Sequence, residues 1–200
     1  MSEADWQAAL QGDRAAFQSA VAPYLENLIE AARHEVRYRV AVDDFDPDDP
    51  TAEELVGDVL LRAWRDRQSR PLGLSVKAWL HALLFRAADA LARRKGRVRS
   101  HEAVSLEDDP VPPNFQPDES TGWEDVIDAG VKTPEQAAIA EEQLFRALDP
   151  RSREVVLMHE LRAVPLPEIA LALGMPQSQV RATLKNARRK LREAADDITS

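Results

Sequence analysis

The sequence predicts an all-α protein made of two small helical domains that are joined by an acidic, flexible linker. Apolar residues recur at intervals of three and four over residues 6–99 and again after residue 134, which is the spacing of helices that bury one face. Between these stretches, prolines alternate with acidic residues, and such a composition buries too little apolar surface to offset the entropy lost on ordering. No alternating strand pattern competes with the helical one.

The domain boundaries are predicted at residues 1–100, 101–133 and 134–200. Turn-rich segments, VAVDDFDPDDP (40–50) and QSRPLGLS (68–75), divide the first domain into three or four helices. Helical spacing resumes at Pro134 and continues through three more helices. Proline is favoured in the first turn of a helix, which supports a helix start at this residue.

The composition excludes several classes of function. The chain has no cysteine, so it holds no disulfide, thiolate metal site or thiol nucleophile, and its four histidines show no metal-ligand spacing. It also lacks a glycine-rich phosphate loop and an arrangement of nucleophile and base. We therefore expect no catalytic residues, no metal and no cofactor. The amino terminus has no basic start followed by an apolar stretch, and no window reaches the length of a membrane span, so a cytoplasmic protein is expected.

The net charge of −9 conceals an uneven distribution. Residues 102–149 contain 13 acidic and two basic residues, which leaves the rest of the chain with 22 acidic and 24 basic residues. That remainder carries its positive charge in two short runs, and such runs are where a polyanion binds.

The carboxy-terminal run lies in LPEIALALGMPQSQVRATLKNARRKLRE (166–193), which has the spacing of a helix-turn-helix. Ala170 lets the two helices approach, Gly174 accepts the left-handed turn, and Val180 closes the core beneath them. Side chains at the start of the second helix are placed to contact bases in a major groove. The cations that follow them along the helix are placed to bind phosphates. The predicted DNA contacts are Gln177, Ser178, Gln179, Arg181, Lys185, Arg188 and Arg189. The alternative is a basic hairpin whose cations are solvated or pair with the linker.

Two stretches carry a resemblance to a known family. TAEELVGDVLLRAWRDR (51–67) followed by VKAWLHALLFRAADALARRKGRVR (76–99) resembles region 2 of bacterial sigma factors of the extracytoplasmic-function group. LDPRSREVVLMHEL (148–161) with the helix-turn-helix resembles region 4. The resemblance covers residues 5–99 and 134–193. It implies a promoter-recognition subunit whose partners are core RNA polymerase and promoter DNA.

The resemblance also assigns roles to residues. The first domain would dock on the β′ clamp of the polymerase and open the minus-ten element, and the last would recognise the minus-thirty-five element. The implied polymerase contacts are Glu53, Glu54 and Asp58. The implied minus-ten contacts are Trp79, Arg86, Arg93, Arg94, Lys95 and Arg97, although a tryptophan on a helix usually packs into the core.

The sequence departs from the family pattern at two places. Arg86 stands where family members commonly have asparagine, so the preferred minus-ten sequence does not carry over. The segment HEVRYRVAVDDFDPDDP (34–50) is longer than the usual connection between the first two helices.

Thr51 opens the helix that resembles the clamp-binding helix. The family commonly has Asp-Ala-Glu-Asp there, and this chain has Thr51, Ala52, Glu53 and Glu54. Thr51 and Glu54 have the spacing of a capping box, which is one explanation of the threonine. The other is regulation, because a phosphate on Thr51 would restore the missing negative charge at a helix N-terminus. A Ser/Thr kinase or an anti-sigma factor is then a regulatory partner.

Three alternatives remain open at this stage. A sigma-like decoy would bind a sigma antagonist without engaging promoters, but such a mimic is expected to lose its DNA-facing cations. A two-domain transcriptional regulator would use the helix-turn-helix alone, which leaves the clamp-like helix unexplained. The acidic linker, finally, would inhibit a sigma factor if it lay on either basic run.

Overall fold

The computed structural model describes residues 3–106 and 146–199, with side chains over 5–98 and 146–194. Its regular elements in these ranges are all helical, as predicted. Most of the predicted linker falls outside the described residues. Its first six residues, 101–106, continue the preceding helix past the boundary predicted at residue 100.

Five α-helices form the first unit of the described chain. They are α1 (Glu3–Leu10), α2 (Arg14–Val21), α3 (Leu25–Ala41), α4 (Ala52–Arg65) and α5 (Val76–Leu106), with 3₁₀ turns at Ala22–Tyr24 and Arg67–Ser69. Asp13 caps α2 by accepting hydrogen bonds from the amides of Ala15 and Ala16, at 2.9 and 3.1 Å. Helix α4 packs between α3 and α5, which places the predicted polymerase-binding helix beside the predicted minus-ten helix.

Aromatic side chains fill the core of this unit. The rings of Trp6 and Trp79 meet edge to face with their centroids 5.8 Å apart, and those of Phe17 and Trp64 do so at 5.3 Å. Trp6 and Trp79 are 2% and 3% exposed. This cluster joins α1 and α2 to the two helices that carry the predicted binding residues.

The second unit contains the helix-turn-helix. It consists of α6 (Pro150–Val156), a π-helical turn (Leu157–Leu161), α7 (Leu166–Leu173) and α8 (Gln177–Thr199). Gly174 ends α7 in the left-handed region with φ 64° and ψ 37°, as its place in the motif predicted. Ala170 and Val180 are buried between α7 and α8, which confirms the predicted packing of the turn.

The two units pack against each other, chiefly through α7 against α5. One apolar core therefore runs from Trp6 in the first unit to Ala187 in the second. Among the described helices, none combines the length and apolar character that crossing a bilayer requires.

Candidate nucleic-acid and polymerase interface

The start of α8 presents a polar, exposed face. Gln177, Ser178 and Gln179 are exposed in its first turn, and Arg181 follows on the same side. The opposite face is buried, with Val180 fully inaccessible. The burial of one face fixes the helix against α7, so the exposed face has a fixed orientation in the unit.

The cations farther along α8 differ in how they are held. Arg188 donates from Nε to Glu160 at 2.8 Å, and Arg189 pairs with Glu193 at 2.9 Å. Arg181 and Lys185 are exposed and make no ion pair with another described residue. Among the predicted contacts on this helix, these two are the cations most directly available to a phosphate or a base.

Helix α5 carries the residues predicted to contact the minus-ten element, and the structure corrects one of them. Trp79 is packed against Trp6 in the core rather than presented to a nucleic acid. The reason is periodicity: Trp79 shares a face with Leu83 and Ala87, and both are buried. Three of the predicted cations, Arg93, Arg94 and Arg97, are exposed and stand one to four residues apart.

Lys95 is already engaged by the loop that follows α3. Its ammonium lies 2.9 Å from a carboxylate oxygen of Asp46 and 2.9 Å from one of Asp49, and its side chain is only 14% exposed. Desolvation works against the charge on Lys95, but the hydrogen bonds to Asp46 and Asp49 outweigh it and raise the pKa above its ordinary value. The acidic loop thus takes the place that a phosphate would have beside this lysine.

Arg86 is also engaged, although its side chain reaches the surface. Its guanidinium donates to the carbonyl oxygen of Ala172 at 2.8 Å. That carbonyl belongs to the last turn of α7, where carbonyls have no partner within the helix. Arg86 therefore stabilises the end of a helix in the other unit.

The start of α4 confirms the predicted capping box. The amide of Glu54 donates to the hydroxyl of Thr51 at 3.2 Å, and the amide of Thr51 donates to the Glu54 carboxylate at 2.9 Å. The Thr51 hydroxyl in turn donates to the same carboxylate at 3.0 Å. Thr51 is exposed, so the hydroxyl is accessible as well as structural.

The three predicted polymerase contacts lie on or near the surface of α4. Glu53 is exposed and pairs with Arg33 at 3.1 Å, and Asp58 pairs with Arg62 at 2.8 Å one turn along the helix. Hydrogen bonds to backbone and then to Arg33 lower the pKa of Glu53. Glu53 therefore remains charged at neutral pH.

Sequence reasoning missed an apolar component of the same surface. Leu61 is 71% exposed and lies one turn beyond Asp58. It borders a groove of about 750 Å³ between α2 and α4, whose other apolar residues include Phe17, Leu60 and Trp64. The signal was the Leu60–Leu61 pair, because two adjacent leucines on one helix cannot both face the core.

Known proteins resemble this chain in two ways. Residues 139–191 match the family model of sigma-70, region 4. The unit that carries α6, α7 and α8 is therefore called the region 4 unit below. No curated protein sequence matches the chain.

Solved structures share the fold of nearly the whole chain. CnrH, in complex with the cytosolic domain of CnrY, is similar with a TM-score of 0.61 and 22% identity over 96% of each chain. The sigma factor RpoE from Bartonella quintana, in complex with the anti-sigma factor NepR, is similar with a TM-score of 0.53 and 18% identity, over 87% of this chain and 97% of that one. Both similarities concern the fold alone. They cover the first unit of this chain as well as the region 4 unit.

Proposed function

We propose that this chain is a sigma factor of the extracytoplasmic-function group, which directs core RNA polymerase to specific promoters. The observation that carries the proposal is the exposed polar and cationic face at the start of α8, in a region 4 unit within a chain of sigma-factor fold. Residues 134–200 recognise the minus-thirty-five element through this face. Residues 1–100 bind the polymerase and open the minus-ten element.

Two surfaces of the first unit support its proposed role in binding the polymerase and the minus-ten element. Glu53, Glu54 and Asp58, together with Leu61, offer a docking face to a basic surface of the polymerase. Arg93, Arg94 and Arg97 on α5 offer successive cations to a phosphate backbone. The polymerase contributes the catalysis, and the chain contributes recognition.

The test measures binding to core RNA polymerase and transcription from a random-sequence promoter library. Wild-type protein is expected to bind the polymerase and to enrich one family of promoters. The double variant Arg181→Ala/Lys185→Ala is expected to bind the polymerase equally well but to lose tenfold or more of that transcription, since each lost base or phosphate contact costs about 1–3 kcal/mol. Arg37→Ala removes an exposed cation from α3 and is the matched control.

The alternatives predict different results in the same experiment. Specific DNA binding without polymerase binding would make the chain a two-domain regulator. Binding of neither the polymerase nor DNA would leave the decoy. An inhibitory protein partner is part of this proposal, because RpoE of B. quintana is held in a complex with an anti-sigma factor.

The proposal includes control by phosphorylation at Thr51. A phosphate there would repel the carboxylate of Glu54 from the capping box, but its oxygens would accept hydrogen bonds from the same helix N-terminal amides. It would add about −1.5 to −2 charges to the acidic docking face. The unmodified protein then docks weakly, and a Ser/Thr kinase activates it.

Replacing Thr51 by asparagine or by aspartate distinguishes an effect of helix capping from an effect of negative charge. Both cap a helix, but only aspartate is negative. Thr51→Asp and in vitro phosphorylated protein are expected to bind the polymerase more tightly than wild type, while Thr51→Asn binds as unmodified wild type does. If Asp and Asn give the same affinity, Thr51 is a cap and the kinase has no role.

A further inference from the structure

The loop between α3 and α4, residues 42–51, occupies every hydrogen-bond donor of Lys95. An ammonium group has three N–H donors. In Lys95 they are taken by a carboxylate oxygen of Asp46 at 2.9 Å, a carboxylate oxygen of Asp49 at 2.9 Å and the backbone carbonyl oxygen of Asp49 at 2.5 Å. A phosphate therefore cannot bind this ammonium without displacing part of the loop.

Other contacts hold the loop in this position. Phe45 is 1% exposed and packs into the core. Asp44 pairs with the buried Arg39 at 2.7 Å, and the amides of Asp44 and Phe45 donate to the Arg39 carbonyl oxygen at 2.8 and 3.1 Å. The loop is thus anchored to α3 by residues other than those that contact Lys95.

The neighbouring cations of α5 are not held in this way. Arg93, Arg94 and Arg97 are exposed and make neither an ion pair nor a side-chain hydrogen bond with another described residue. The carboxylates that hold Lys95 have side chains 55% and 71% exposed, and ion pairs with exposed partners add little to stability. The main effect of the contact is therefore on the availability of Lys95 to other partners.

A nucleic acid gains little by binding Lys95 alone. Phosphate and carboxylate oxygens are the same kind of acceptor for an ammonium group, so a phosphate that replaces Asp46 and Asp49 returns about what it removes. It also brings negative charge close to the two displaced carboxylates. The exchange becomes favourable only for DNA that other contacts already hold at this place on α5. Lys95 then adds affinity for correctly placed DNA alone, and such a difference in affinity is what produces specificity.

We propose that Asp46 and Asp49 are specificity-determining residues that act through Lys95, keeping it from nonspecific DNA and releasing it to a correctly placed minus-ten strand. The inference rests on the proposed function, so one of its experiments needs neither polymerase nor promoter. The alternative is that Lys95 only anchors the loop. In that case, loss of the two carboxylates changes DNA binding no more than any equal change of net charge.

The first experiment measures how many phosphates the whole chain contacts. Binding to a short single-stranded DNA of mixed sequence is followed by fluorescence anisotropy at several salt concentrations. Asp46→Asn/Asp49→Asn preserves the size of both side chains and removes the charges that hold Lys95. Asp43→Asn/Asp48→Asn removes the same charge from two exposed positions of the same loop and is the matched control. Circular dichroism should show the wild-type helix content in both variants.

The two variants should differ in the salt dependence of binding. On a single strand, the slope of log affinity against log salt changes by about 0.7 for each phosphate contact. Release of Lys95 should steepen the slope by about 0.7, and the control should keep the wild-type slope. Adding Lys95→Gln to Asp46→Asn/Asp49→Asn should restore the wild-type slope. Equal slopes for the two double variants, or a steeper slope that survives Lys95→Gln, would overturn the proposal.

Single substitutions in the wild-type chain decide the question if Asp46→Asn/Asp49→Asn does not fold. Lys95→Gln should leave the slope unchanged, because Lys95 does not contact nonspecific DNA. Arg94→Gln should make the slope shallower by about 0.7, because it removes an available cation. An equal loss of slope in both variants would show that Lys95 is an ordinary phosphate contact, and the proposal would be wrong.

The second experiment measures selectivity with core RNA polymerase. Transcription from an active promoter is compared with transcription from the same promoter after its minus-ten element is scrambled. Asp46→Asn/Asp49→Asn should lower this ratio about threefold, while the control keeps it. An unchanged ratio would refute the role in specificity. If the slopes differ as expected but wild type does not bind the polymerase, the proposed function has failed and the control of Lys95 by the loop is upheld. Equal slopes in a protein that does transcribe refute this inference alone.

Discussion

Replacement of Arg39 by methionine tests how the first unit is held together. Arg39 is 5% exposed, and its guanidinium contacts three carboxylates: Glu35 at 2.8 Å, Asp44 at 2.7 Å, and Asp89. It thereby ties α3 to the loop after it and to α5. Burial works against the charge on Arg39, but Glu35 and then Asp44 and Asp89 raise its pKa above the ordinary value. Methionine keeps much of the volume and removes the charge.

The cost follows from the exposure of the three carboxylates. Asp44 and Asp89 have side chains 40% and 34% exposed, so both regain water when the arginine is lost. Glu35 is fully buried and retains only Arg153. Removing one partner from a buried ion pair costs about 3–5 kcal/mol, and the remaining arginine places this case near 3 kcal/mol. For a chain of this length that corresponds to a fall in Tm of about 6–12 °C.

Thermal unfolding followed by circular dichroism measures this change, with urea unfolding as a second measure. The control is Arg37→Met, two residues away on the exposed side of α3, which should cost less than about 0.5 kcal/mol. A loss below about 1 kcal/mol for Arg39→Met would refute the reasoning, because it would mean that Glu35 does not need its second cation.

Three further predictions concern other sites. Burial is the main cause that raises the pKa of Glu154 above 4.5. The contribution of Glu154 to the stability of the folded state is therefore present at low pH, and it is lost as the pH rises through the pKa that the group has in the folded protein. Glu154→Gln should therefore have a higher Tm than wild type at pH 7.5, with an advantage that shrinks toward pH 4.5; an advantage that grows on acidification would contradict the sign. Gly174→Ala should cost about 1 kcal/mol, measured by urea unfolding, because a Cβ there meets no atom within 4 Å and only the left-handed backbone is strained; Gly174→Asn should cost less. Leu61→Ala should change stability by less than about 0.5 kcal/mol and weaken polymerase binding about tenfold in a titration, while Leu161→Ala, an exposed leucine of the region 4 unit, should leave the affinity unchanged.

Local features of the fold were predictable because their causes lie within a few residues. The capping box needs only a threonine and a glutamate three positions apart, and both hydrogen bonds are present. Gly174 takes the left-handed conformation that its place after an apolar helical run demands. The two faces of α8 likewise follow from the spacing of Val180, Leu184 and Ala187.

The long-range pairs were not predictable from one sequence. Glu35 and Arg153 are 118 positions apart, and nothing in their local patterns marks them as partners. Both lie in helices rich in charged residues, where the expected environment is water. For Trp79 the local pattern gave two conflicting indications. Its position on the helix indicated the core, whereas its residue type also suited stacking on a base. The structure packs Trp79 against Trp6 in the core.

The long segment between α3 and α4 acquires a role from the same long-range contacts. Asp44 is held by Arg39, which orients the loop so that Asp46 and Asp49 reach Lys95 on α5. Carboxylates and phosphates offer a lysine the same kind of oxygen acceptor, so under the proposed function the loop would compete with DNA for Lys95, as the Ala172 carbonyl of α7 would for Arg86. Arg93, Arg94 and Arg97 are then the predicted minus-ten cations that are exposed and make neither an ion pair nor a side-chain hydrogen bond with another described residue. Under the proposed function, promoter DNA would have to displace both sets of intramolecular partners before it contacts Lys95 and Arg86, which would disfavour weak or nonspecific DNA.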